Sequence, residues 1–283
     1  LRGIACFALA ILLFAVMDVM IKRMTAGYGT FQIIFFRSLT ALVPISILVA
    51  HSGGLAALRT RRPLGHVVRA LIGACATFSF FFSFRYLPLA DVYTINFAAP
   101  LIMTALSLPL LGEHVGRRRW CAVVVGFGGV VVVLQPTGAM VSPVALVCLA
   151  GAFFYALTLI LIRRLSRIET SAAIAFYFTL TCIGLGAVGM IPDWVTPRSF
   201  MDAAMLAGIG IVGGAAQILI TSALRLAPAG TLAPFEYTAL IWGVAFGWLF
   251  FGDLPAPPVV LGGMIVVASG LYILYRETRR AAV

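Results

Sequence analysis

The chain has 283 residues, 62% of them hydrophobic and 10% charged, against roughly 45 to 50% apolar and 25% charged in a soluble domain. Its formal net charge is +11, but the arginines fall in short clusters between apolar runs, not along one basic face; this excludes nucleic acid as a partner and leaves membrane lipid and a small-molecule substrate. The five cysteines all lie inside apolar runs, with no CxxC and no histidines at metal spacing, so a disulfide framework, a zinc site and any other cofactor are not expected.

A bilayer core takes about 20 apolar residues per helix. The first run, 4 to 24, is too long for a signal-peptide core and lacks a small-residue cleavage site, so it reads as a retained span. Further runs follow at 31 to 50, 66 to 86, 91 to 111, 118 to 134, 143 to 164, 171 to 191, 203 to 224, 231 to 251 and 257 to 275. The connections are short and carry breakers such as SGG, QPTG and GDLPAPP. The expected fold is all-α: a polytopic membrane protein of ten transmembrane helices. With the N-terminus in the cytoplasm, 15 of the 20 Lys and Arg residues fall on the inner side, which places both termini there, in a bacterial-type inner membrane. Lys22 and Arg23 fall on the outer side against that trend.

Residues 85 to 100, RYLPLADVYTINFAAP, return 140 positions later as RLAPAGTLAPFEYTAL, with Arg85 over Arg225, Pro88 over Pro228 and Ala99 over Ala239. The same offset pairs Gly112 with Gly252 and Glu113 with Asp253. The chain therefore reads as two units, 1–137 and 138–283, of five spans each. Five is odd, so the second unit enters the membrane from the opposite side and the two form an inverted repeat, the architecture from which alternating access arises. These two tails, each followed by a glycine-bearing last helix (VVGFGGVVVVL and GGMIVVASGLYIL), resemble the EamA repeats of the drug/metabolite transporter superfamily. Within it the chain is similar to bacterial amino-acid exporters, the aromatic amino-acid group included, which implies a carrier exporting amino acids or related metabolites. One departure is Leu240, where the first unit has the mid-helix Pro100; unequal flexing of the units is expected from it.

Ionisable residues at membrane depth face a partner or a cavity. Asp18 and Arg37 both lie about 10 Å below the outer ends of their helices at 1.5 Å per residue; they can meet as a structural ion pair, or Asp18 can serve a substrate amine or a proton, with Lys22 one turn above it. Glu236 lies in the inner half of the ninth span, with Gln217 at nearly equal depth as a hydrogen-bond partner and Pro234 marking a distorted backbone one turn away. Its repeat mate is Asn96. Tyr93, Asn96 and Pro100 share one face of the fourth span. Phe78, Phe81, Phe82, Tyr86, Tyr155, Tyr237 and Trp242 are candidates to line the same chamber, suited to ring-bearing or cationic substrates. The glycines Gly126, Gly128, Gly129, Gly262, Gly263 and Gly270, with Ser269, read as helix packing, with a dimer contact as the other use; the protein is a monomer or homodimer. HExxH, GxSxG and GxxxxGK[ST] are absent, so an intramembrane enzyme and a nucleotide-driven pump are disfavoured, and a passive channel is the remaining competitor.

Overall fold

The computed structural model describes residues 2–111, 117–134, 142–227 and 229–281. Gly112, Glu113, Pro228 and the boundary at 137/138 lie outside the described residues. Twelve α-helices occur among those described: α1 (Arg2–Thr25), α2 (Thr30–His51), α3 (Pro63–Phe84), α4 (Leu89–Asn96), α5 (Ala98–Leu111), α6 (Arg117–Leu134), α7 (Pro143–Leu165), α8 (Ser171–Gly189), α9 (Phe200–Leu226), α10 (Ala229–Glu236), α11 (Thr238–Phe251) and α12 (Pro257–Ala281). Eight stretches are long and apolar enough to cross a bilayer, one of them Leu89–Leu106 running through α4 into α5, and Trp120–Leu134 is a shorter apolar helix.

Local chemistry sets the ends. Pro63 and Pro143 open α3 and α7, where the missing N–H costs nothing. The Thr170 hydroxyl accepts from the Ala173 N–H at 3.0 Å to cap α8, and Ser199 accepts from the Asp202 N–H at 3.1 Å to cap α9. At the end of α11, Gly252 takes a left-handed conformation (φ 71°), which releases the chain into the α11–α12 loop.

The packing follows the 140-residue offset. Adding 140 to the bounds of α4 and α5 returns those of α10 and α11. Helix α2 packs on its offset mate α8, and α6 on its mate α12; α1 on α9 mirrors α7 on α3. Small residues make these approaches close. A Cβ on Gly129 would meet the Gly262 carbonyl at 2.9 Å, and Gly214 takes Pro44 of α2 against α9. The expected α6–α12 glycine contact therefore forms, although Gly128 faces open space and Gly270 serves Tyr237 instead. Large apolar side chains coat the outside, Val188 being 71% exposed and Leu249 64%, as lipid-facing residues are. Trp120, Trp194 and Trp248 are exposed near helix ends, where indoles sit at membrane interfaces.

Candidate functional site

Two spans are broken at equivalent places. Helices α4 and α5 part at Phe97, and α10 and α11 at Tyr237, exact mates under the offset. Each leading piece has eight residues, about 12 Å at 1.5 Å per residue, so each break lies near mid-depth of a core about 30 Å thick. In the first unit Pro100 has no N–H to offer the Asn96 carbonyl. In the second, Leu240 stands there, yet its N–H turns to the Tyr237 carbonyl at 3.2 Å. The sequence expected distortion at Pro234; that residue lies inside α10 and the break comes three residues later. The Phe97 and Tyr237 rings touch each other, centroids 5.0 Å apart, and the Tyr237 hydroxyl fills the space that Gly270 leaves. A half-helix starting at mid-depth begins with N–H groups that lack carbonyls of their own helix, and in α11 the Leu240 N–H is taken by the Tyr237 carbonyl.

Asp18 of α1 accepts a hydrogen bond from the Tyr93 hydroxyl of α4 at 2.6 Å. The Tyr93 ring stands edge-on to Phe84 at 6.5 Å and lies against Gly243 of α11, where any side chain would strike it. The direct Asp18–Arg37 ion pair read from helix depths does not form. Asp18 is bonded to Tyr93, and the Arg37 guanidinium lies over the Phe81 ring at 5.6 Å, close enough to Asp18 for electrostatic attraction without contact. Asp18 and Arg37 are each half-buried among the helices and keep some accessible surface.

Glu236 is exposed by surface area, and its charge reaches the hydroxyls of Tyr155 on α7 and of Tyr237. Phe80 of α3 meets Tyr155 edge-on at 6.4 Å. The anticipated hydrogen bond from Gln217 is absent: Gln217 is exposed on α9 and makes no side-chain bond to Glu236. Nor do all the aromatic candidates converge. Phe78 and Phe82 stack with Phe31 and Tyr86 in a ladder with spacings of 4.9, 5.9 and 5.1 Å between α2 and α3. Trp242 stacks on Phe246 at 5.5 Å and packs with Phe7, Ile11 and Leu232 on the α1–α9 side. Asn96 is half-buried with its Oδ1 unpartnered. Phe80, Phe97 and Gly243 were missed in the sequence, and Gly270 was read there as helix packing only; the offset that maps Tyr237 onto position 97 was the available signal for Phe97.

Ties close the ends. Away from the end where α1 begins, Lys22 donates to the Leu87 carbonyl at 2.8 Å and to Asp253 Oδ2 at 3.0 Å, and lies over the Phe251 ring at 5.0 Å. Asp91 is within electrostatic reach. At the same end Tyr28 donates to Asp202 at 2.7 Å and accepts from the Arg198 N–H at 3.0 Å. At the other end Glu169 accepts from the Thr60 hydroxyl and the Arg61 N–H, both at 3.0 Å, and faces His66 at 3.5 Å. Although burial opposes it, those hydrogen bonds hold the Glu169 carboxyl below the usual glutamate range. Among the described residues no group of three His, Cys, Asp or Glu could hold a metal ion.

The model of the EamA-like transporter family matches residues 1–135 and again 142–275. The chain belongs to the EamA-like transporter family. It is a polytopic all-α membrane protein and a transporter of small metabolites. An S-adenosylmethionine uptake transporter of Rickettsia prowazekii (strain Madrid E) is 27% identical to this EamA-like chain over 99% of it and 94% of that protein. The pseudopaline exporter CntI of Pseudomonas aeruginosa (strain UCBPP-PA14) is 28% identical over 94% of each, and a riboflavin transporter of Vibrio cholerae serotype O1 28% identical over 79% of this chain and 76% of that one. A solved crystal structure shares the fold with a TM-score of 0.67, at 19% identity over 99% of each chain. None of these three relatives is named for amino-acid export. For an EamA-like transporter, two carboxylate–tyrosine neighbourhoods, Asp18 with Tyr93 and Glu236 with Tyr155, offer acceptors for a positive group and rings for stacking.

Proposed function

We propose that this transporter is an alternating-access carrier built of two inverted units, 1–137 and 138–283, exporting aromatic or other neutral amino acids or related ring-bearing metabolites across a bacterial-type inner membrane, with both termini cytoplasmic. The observation that carries this reading is a pair of carboxylates within the membrane-spanning helices, half-buried Asp18 in the first unit and Glu236, exposed by surface area, in the second. Neither is in an ion pair among the described residues, and each stands beside tyrosine hydroxyls. A carboxylate at membrane depth outside an ion pair is costly, and a substrate amine or a transferable proton relieves it. The rings of Tyr93, Tyr155, Phe97 and Tyr237 give an aromatic side chain surfaces to stack on. N–H groups at the start of a broken helix offer donors to a carboxylate. The Lys22 tie closes the end away from the termini, and this supports a state that loads from the cytoplasm.

The relatives give a second reading some support, since S-adenosylmethionine and riboflavin both carry fused rings. Counterflow in proteoliposomes separates the two. Vesicles preloaded with tryptophan, S-adenosylmethionine or riboflavin are each challenged with the same compound in labelled form under an imposed pH gradient. Trans-stimulation by tryptophan supports the amino-acid reading. Stimulation by either of the other two alone moves the assignment to that substrate, and labelled flux that ignores the preload marks a channel.

A further inference from the structure

Two segments meet at the end of the molecule where α1 begins: the α2–α3 loop, 52–62, and the end of α7 with the loop after it, 163–170. Thr170 donates to the Ala57 carbonyl at 2.7 Å, Tyr177 of α8 donates to the Leu58 carbonyl at 2.9 Å, and Glu169 is held by the Thr60 hydroxyl and the Arg61 N–H. A Cβ on Gly65 would come within 3.1 Å of the Leu165 side chain, so the start of α3 and the end of α7 lie directly against each other. The seam gathers charge. Arg59, Arg61 and Arg62 stand exposed on the first segment, and Arg163, Arg164 and Arg167 on the second.

The single acid of these two segments does not answer that charge. Glu169 is 8% exposed, and its carboxylate is turned inward to Thr60, the Arg61 N–H and His66. Pro63 opens α3 and Arg62 gives it no side-chain cap, so the positive end of the helix dipole adds to the arginines beside it. A surface of one sign draws counter-charge to it. Next to the seam the surface turns apolar. Leu64, Val67, Val68 and Leu71 are all exposed and recur at three- and four-residue spacing, so they form a lane along one face of α3 that runs from the arginines into the membrane. A water-soluble anion has no use for that lane, whereas a phospholipid uses both the charge and the lane.

We propose that this seam is a site for an anionic phospholipid with two phosphates, of the cardiolipin type. Arg59, Arg61 and Arg62 take one phosphate, Arg163, Arg164 and Arg167 take the other, and acyl chains lie along the Leu64–Leu71 face of α3. The planar fork of arginine matches phosphate oxygens in pairs, and basic pockets between spanning helices on the cytoplasmic side bind such headgroups. The lipid bridges the α2–α3 loop of the first unit and the α7–α8 loop of the second, so it clamps one end of the carrier. This site stands apart from the substrate reading given above, since it involves none of the residues named there.

The test is thermal unfolding of the purified full-length protein, stripped of lipid in dodecyl maltoside. Tetraoleoyl cardiolipin, dioleoyl phosphatidylglycerol, dioleoyl phosphatidylcholine and sodium pyrophosphate are titrated separately at equal phosphate. The expected result is a saturable rise in Tm of several degrees with cardiolipin, a weaker rise with phosphatidylglycerol, and none with phosphatidylcholine or pyrophosphate. Arg62→Gln combined with Arg164→Gln moves the cardiolipin midpoint about tenfold higher. Arg117→Gln, at the start of α6, leaves the midpoint unchanged. The proposal is overturned if any of the other three compounds matches cardiolipin, or if the Arg62→Gln, Arg164→Gln double variant responds as wild type does. It is overturned equally if Arg117→Gln weakens the response as much as the double variant, which would make it the diffuse field of a basic surface. The wild-type comparison of the compounds decides even if the double variant does not fold.

Discussion

Removing the positive charge of Lys22 will open the end of the carrier away from its termini. Lys22 makes two charge-assisted hydrogen bonds, to the Leu87 carbonyl at 2.8 Å and to Asp253 at 3.0 Å, between residues 65 and 231 apart in the chain. A hydrogen bond to a charged group contributes about 1.5 to 3 kcal/mol when buried, whereas an exposed ion pair contributes about 0 to 1 kcal/mol. The Lys22 side chain is 13% exposed and that of Asp253 34%, so water screens the pair in part; about 2 kcal/mol for the whole tie is the discounted figure. An interaction present in one conformer and absent from the other enters the equilibrium between them in full. About 2 kcal/mol is a shift of about thirtyfold toward the opened state. The assay places a single cysteine at Asn96 in a background without the native cysteines, and measures its labelling by a membrane-impermeant thiol reagent from the far side. Lys22→Met raises the labelling rate by about tenfold to thirtyfold, Asp253→Asn acts in the same direction, and the double variant adds little, because both remove one tie. An unchanged rate in Lys22→Met, with Tm also unchanged, would refute the reasoning.

Other expectations follow from the site. Asp18→Asn abolishes counterflow in proteoliposomes while the purified protein stays monodisperse and as heat-stable as wild type; a matched loss of folding would make Asp18 a structural residue. Glu236→Gln changes substrate affinity or flattens the pH profile of transport, and an unaltered profile would remove Glu236 from the site. Gly243→Ala pushes the Tyr93 ring off its seat on α11, at a cost of about 1 to 3 kcal/mol for overpacking, and weakens substrate affinity through the lost Tyr93–Asp18 bond; a Michaelis constant equal to that of wild type would count against it. Glu169 carries a pH dependence. Its folded-state carboxyl titrates below the unfolded value, about 4.3 for glutamate. Its stabilisation is therefore fully present above that value and lost as pH falls through the lower folded one. Glu169→Gln lowers Tm by a few degrees at neutral pH and narrows its difference from wild type in acid; a constant difference from pH 7 to pH 3 would refute this.

How much of this was legible in the sequence depends on the range of the interaction. Spans, their order and the 140-residue offset rest on local apolar runs, which the chain carries openly. The faces of α3 were partly readable: Phe78 and Phe82 are four apart and share a face, so Phe80 had to point elsewhere. Which face meets Tyr155 depends on α7, some 75 residues further along, and depth alone does not tell it. The partner of Asp18 failed for the same reason. Depth put Arg37 within reach, but Tyr93 competes for the carboxylate, and Phe81 offers the guanidinium a ring. Arg69 was counted as an inner-side charge because it lies near a helix start; only the packing of α8 over it makes it a buried one.

The two breaks carry the argument furthest. Proline explains the one before Pro100, and by that logic Leu240 should have left the second span straight. It is bent at the same residue nonetheless, so backbone chemistry alone is not the cause. What the two breaks have in common is each other: Phe97 and Tyr237 are mates under the offset, and their rings are in contact. Under the inverted-repeat reading proposed above, a contact between equivalent positions lies on the axis relating the units, so neither half-helix straightens without moving the ring that props its counterpart. The proline then supplies the bend on one side, and the ring contact with the Gly270 recess imposes it on the other. Filling that recess with Gly270→Ala should therefore disturb both breaks together, although Pro100 is untouched. Exchange of backbone amides would rise in α5 as well as in α11, and protection lost from α11 alone would show that the breaks are independent.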